Sequence, residues 1–117
     1  MLKPKLQTPK GVKKVRKVIK VKTEKDLAKL YQKKKQGTFK ILFTSLWDNS
    51  CKRLEKVVDK WKEQEGDELL YLINSWDLPA SFSMYMITTV PALVHLTNGR
   101  VKVDIEFPTV YRFFDAS

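Results

Sequence analysis

The only cysteine of this chain, Cys51, lies in the segment Trp47-Asp48-Asn49-Ser50-Cys51-Lys52. A lone thiol can act as a monothiol, forming mixed disulfides with glutathione or a client. It can also pack as an inert apolar group. The spacing favours packing: Cys51, Leu54, Val57, Val58 and Trp61 recur at helical intervals, so the thiol shares the buried stripe of its helix. Asp48 is placed to cap that helix by accepting an N–H bond from its first turn, worth about 1 kcal/mol. His95, the only histidine, is far along the chain in a strand-like run, so no Cys/His dyad is expected. One histidine and one cysteine do not make a metal site. No Gly-rich phosphate loop or other cofactor motif occurs, and no cofactor is expected. Glu63, Glu65, Asp67 and Glu68 read as a solvated acidic helix end.

The elements that must position these residues can be read from periodicity. Val15, Ile19 and Val21 alternate with Arg16, Lys17, Lys20 and Lys22, which predicts a basic edge strand. Thr23 opens a helix with Asp26 as a weak capping box, Leu27, Leu30 and Tyr31 as its apolar stripe, and Gly37 at its end. Phe39 to Phe43 is a short buried strand. The Cys51 helix runs to about Gln64 and stops at Gly66, and Leu69 to Ile73 is another strand. Asp77-Leu78-Pro79 starts a helix with Asp77 as cap and Phe82, Tyr85 and Met86 buried. Ala92 to Leu96 and Val101 to Ile105 form a hairpin around Asn98-Gly99, and Thr109 to Phe114 is a last helix. Alternating strands and helices argue for an α/β domain with parallel pairing and an antiparallel edge at the hairpin.

Composition bounds the rest. The 117 residues suit one domain, and 43% apolar content supports a core. A single free thiol fits a reducing compartment such as the cytoplasm. A basic start without an apolar region after it is not a secretory signal. No run reaches the roughly 18 to 20 apolar residues of a membrane span. The net charge of +10 is unevenly spread: residues 1–40 hold 15 Lys and Arg against two acids, and residues 41–117 hold eight against eleven. Residues 1–14 read as an extended basic arm, and 15–117 as the domain. Lys3, Lys5, Lys10, Lys13, Lys14, Arg16, Lys17, Lys20 and Lys22 are candidate polyanion contacts, for nucleic acid or an acidic protein surface. Residues 1–23 have no aromatic for base stacking, so nucleic-acid binding there would be phosphate-directed and salt-sensitive.

A strand, a Cys-bearing helix start and a later Thr89-Val90-Pro91 together resemble thioredoxin, whose motif at the first site reads W-C-G-P-C-K. The resemblance covers roughly residues 15–115. It implies a three-layer α/β/α fold with a central mixed sheet and a cis-proline at Pro91. In that family a helix N-terminus activates the first cysteine as a thiolate and the second resolves the mixed disulfide. Asp48 stands in the first position and only the second, Cys51, is kept. The family's buried aspartate maps to Leu42, its nearby lysine to Leu72, its helix-kinking proline to Lys56 and a groove glycine to Phe107. The resemblance thus implies a proton relay replaced by leucines, a straighter helix and a groove partly filled by Phe107. The W-D-x-x-C form also resembles a spliceosomal thioredoxin-like assembly component, and short phage-encoded thioredoxin-like proteins are another comparison.

The reading is a binding or assembly module without dithiol redox activity. It would contact a protein partner through Trp47, Val90, Pro91 and Phe107, near Asp48, Cys51 and Thr89, and an anionic surface through its basic arm. The alternatives are a monothiol oxidoreductase relative using Cys51 and a nucleic-acid-associated accessory or virion protein. Trp61 and Trp76 are expected to be packing residues.

Overall fold

Side-chain alternation along the strands divides the core into two halves. Phe39, Ile41 and Phe43 face one side of the sheet and Leu42 the other; Tyr71 and Ile73 oppose Leu70, and Ala92 and Val94 oppose Leu93. The computed structural model describes residues 14–33 and 37–116. Its elements are β1 (Lys17–Val21), α1 (Glu24–Lys33), β2 (Thr38–Thr44), α2 (Asn49–Lys62), β3 (Leu69–Asn74), a 3-10 helix (Pro79–Tyr85), β4 (Ala92–Thr97), β5 (Arg100–Asp104) and α3 (Phe107–Asp115). The sheet order is β1-β3-β2-β4-β5. Leu27 and Leu30 of α1, with Phe82 and Tyr85 of the 3-10 helix, cover one face. Leu54, Val58 and Trp61 of α2 with Val110 and Phe114 of α3 cover the other. The result is the three-layer α/β/α arrangement with a mixed sheet.

Local signals are met where they are short-range. The Asp26 N–H donates to Thr23 Oγ1 at 3.1 Å, which opens α1. Asn98 and Gly99 both have positive φ, at 50° and 89°, as a tight two-residue hairpin requires. β1 is an edge strand, as its charges suggest, and pairs in parallel with β3. Most of the predicted 1–14 arm lies outside the described residues. Lys14 itself is tied down, since its carbonyl accepts from Gly66 N–H at 2.9 Å.

Four expectations are corrected. Although β1, β3 and β2 run in parallel, β4 is antiparallel to β2. The reason is that β3 ends, and β4 begins, at the same end of the sheet: Asn74 pairs with Thr44 and Ala92 with Phe43. The connection therefore never traverses the sheet. It carries a 3-10 helix capped at Leu78 rather than a helix capped by Asp77, and Met86 leaves it in a left-handed conformation, 85% exposed rather than buried. The Cys51 helix ends at Lys62 with Glu63 as cap, before Gly66. A Cβ at Gly66 would collide with Arg16 and Glu68, so the glycine serves close packing. Finally, α3 starts at Phe107, two residues before Thr109.

Candidate functional site

The carboxyl ends of β2 and β3 and the start of β4 meet at one end of the sheet, the usual place for binding in open α/β folds. The turn after β2 carries Trp47 and Asp48. Asp48 holds an extended backbone and its Oδ1 accepts the Cys51 N–H at 2.9 Å. Lys52 N–H donates to the Asp48 carbonyl, closing the first turn of α2. The carboxylate thus occupies the helix N-terminus as a cap, where negative charge is favoured. Helix α2 then runs without interruption through Lys56 to Lys62.

Cys51 points into the molecule and is only 5% exposed. Burial pushes its thiol above the ordinary value. Thr44 and the Ser45 backbone pull in the opposite direction by hydrogen bonding, and the Asp48 carboxylate adds to the rise. A raised pKa and low exposure both disfavour the thiolate. Leu42 and Leu72 are register partners on β2 and β3. Leu42 is buried and packs with Leu54, Val58 and Leu93. The two positions to which the resemblance assigns a buried acid and a lysine are therefore neighbours in space, both apolar.

What this end shows to solvent differs from the expected patch. Trp47 is 72% exposed, as expected, but its ring partner is Trp76, 70% exposed, edge-on at a centroid distance of 6.3 Å. Trp76 is not a packing residue. It rides on the turn after β3, where its backbone N–H donates to Asn74 Oδ1 at 2.9 Å, so that turn carries the ring outward. Neither periodicity nor spacing within the chain pairs it with Trp47. Leu46, 56% exposed, adds to the apolar surface of the turn after β2. The Val90–Pro91 bond is cis. Pro91 is buried, Val90 half-buried and Thr89 exposed. Phe107 is half-buried in the first turn of α3, with Arg53 over its ring at 5.0 Å and Tyr111 beside it. Its ring contacts are thus on the α2–α3 side rather than with Trp47.

Of the predicted polyanion contacts, Lys3, Lys5, Lys10 and Lys13 lie outside the described residues. Lys14, Lys17, Lys20 and Lys22 are exposed. Arg16 is not available: its side chain is 8% exposed and its Nε pairs with Glu68 Oε1 at 2.9 Å. Its guanidinium also lies over the Trp61 ring at 4.7 Å and donates to the Trp61 carbonyl. Among the described residues no helix is long and apolar enough to cross a membrane, and no group of three or more His, Cys, Asp or Glu is placed to hold a metal ion.

No family model and no curated protein sequence matches the chain. Solved structures do. Thioredoxin O1 of Arabidopsis thaliana in its oxidised state superposes with a TM-score of 0.70 at 20% identity, covering 85% of this chain and 96% of that one. Thioredoxin of Trypanosoma brucei brucei gives 0.67 at 13% identity, covering 81% and 85%. The reduced thioredoxin pre-protein of Schistosoma mansoni gives 0.63 at 18%, covering 86% and 97%. At such identities the likeness shows the fold: the chain has a thioredoxin-like fold.

Proposed function

We propose that this thioredoxin-fold chain is a binding or assembly module without dithiol redox activity. Its protein partner docks on the exposed apolar surface around Trp47 and Trp76, and the lysines of its N-terminal part contact an anionic surface. The observation that carries this reading is Asp48. In the position of an attacking thiol stands a carboxylate already engaged in capping α2, above a thiol that is buried. A carboxylate cannot attack a disulfide, and the Leu42–Leu72 pair offers no acid or base for a proton relay. Two exposed tryptophans in edge contact are costly to leave in water and are the residue type most often found at binding hot spots. A lone buried thiol suits a reducing compartment.

Two measurements test the reading. Insulin reduction with dithiothreitol should run no faster with the protein than without it; Cys51-dependent acceleration would overturn the redox-inactive half. Affinity capture with the Trp47→Ala/Trp76→Ala variant should lose partners that the unaltered protein retains, with an unchanged unfolding midpoint showing that the fold is intact. Identical partner sets would remove the aromatic pair from the interface.

A further inference from the structure

The groove between α2 and α3 carries a charge pattern that the reading above does not use. Lys52, Arg53, Lys56 and Lys60 line it with Tyr111, and Asp115 is its only acid; its volume is about 420 Å³. Half of the eight Lys and Arg beyond residue 40 are gathered here, in a part of the chain whose net charge is negative. The gathering is one-sided. At 3.6 residues per turn, the four cations span about 100° of the helix circumference, and the two acids of α2, Glu55 and Asp59, fall outside that arc. Asp59 instead pairs with Lys62 at 3.7 Å. Among the described residues none of the four cations has a carboxylate partner. Arg53 is held over the Phe107 ring, which limits the freedom its guanidinium would lose on binding an anion.

Spacing and shape narrow the ligand. Lys52, Lys56 and Lys60 rise about 6 Å per step along α2. A phosphate backbone presents a regular row of single negative charges, which a row of lysines at regular intervals can follow. Tight protein partners gain most of their affinity from a few well-packed anchors in desolvated pockets. The groove offers only Val57 and Tyr111, both half-buried. A phosphate backbone needs no such anchor. The geometry points to a sequence-blind site for the phosphate backbone of a nucleic acid on the α2–α3 face. It is separate from the aromatic pair and independent of the protein-partner reading.

Fluorescence anisotropy of the full chain with a short labelled duplex, across a salt series, tests this. Lys56→Gln/Lys60→Gln should weaken binding by roughly tenfold or more at 0.1 M salt and lower the log–log salt slope by roughly two. Lys25→Gln/Lys29→Gln on α1 removes the same charge from another exposed surface and should change affinity by no more than about twofold. Equal losses in both variants would mean diffuse attraction and overturn the site. So would an unaffected groove variant, or binding to polyglutamate or phosphatidylserine vesicles with none to the duplex. Trp47→Ala/Trp76→Ala should leave duplex binding unchanged, so either reading can fail without the other.

Discussion

Asp48 and Leu42 each serve the fold through contacts of their own. The Asp48 carboxylate satisfies the Cys51 N–H that a neutral apolar residue would leave open at the start of α2. Leu42 packs against Leu54, Val58 and Leu93, where a carboxylate would be stranded. Leu42→Asp should therefore cost roughly 3–5 kcal/mol at neutral pH, read from urea unfolding, and adding Leu72→Lys should recover part of it. A Leu42→Asp variant as stable as the original would mean that water or a hidden partner reaches this position. Cys51 gives a second expectation. Because burial raises its pKa in the folded state, the associated stabilisation is fully present below the ordinary thiol pKa and is lost as pH rises through the folded value. Alkylation of the native protein at neutral pH should thus be roughly tenfold or more slower than of the urea-unfolded chain, since it must await opening. Equal rates would restore the monothiol alternative.

Arg16 joins three elements. It reaches from the start of the first strand to the carbonyl of Trp61 at the end of α2 and to Glu68 at the start of the third strand. The guanidinium also lies over the indole of Trp61, a ring with no exposed surface. Arg16→Ala should lower stability by about 1.5–3 kcal/mol in urea unfolding, the scale of lost hydrogen bonds to a charged group. Arg16→Lys should restore only part, because one ammonium cannot match the planar fork. Arg16 holds the Glu68 carboxyl below the usual glutamate range. The stabilisation from this pair is present above the ordinary glutamate pKa and disappears as pH falls through the depressed folded value. The contribution is modest, because the Glu68 side chain is 34% exposed. Stability curves of Glu68→Gln and the unaltered protein should therefore converge in acid; a gap persisting there would assign the effect to packing.

Across the whole molecule, two concentrations of positive charge stand out, the N-terminal lysines and one wall of the α2–α3 groove. The aromatic surface stands at the sheet end where the second and third strands finish. Residues 1–13 carry four lysines. A chain starting at Lys14 retains every element of the sheet, so its urea midpoint should be unchanged. Its affinity for a polyanion should fall, with the log–log salt slope reduced by up to roughly 0.9 for each phosphate those lysines neutralise. A slope unaltered by the truncation would place all the binding on the folded domain.

Much of the fold is legible in the chain because its causes are local. The alternation of Phe39 to Phe43, the stripe from Cys51 to Trp61, the Asp48 cap and the Asn98-Gly99 turn each depend on neighbours a few residues away. They specify strands, helices and a hairpin in order, and they place Asp48 at the start of the second helix. What local pattern does not contain is which distant residues become neighbours. The direction of the fourth strand followed from where its connection returns, and the burial of Arg16 from the proximity of Trp61 and Glu68. The outward pairing of Trp76 with Trp47 arose because two turns meet at one end of the sheet. Likewise, the four groove-lining cations of the second helix were visible as letters, but only the packing of the last helix beside them made a groove. Short-range propensity thus determined the elements and the cap that opens the second helix. Long-range packing, which sets what is buried and what faces solvent, decided the surfaces left for binding.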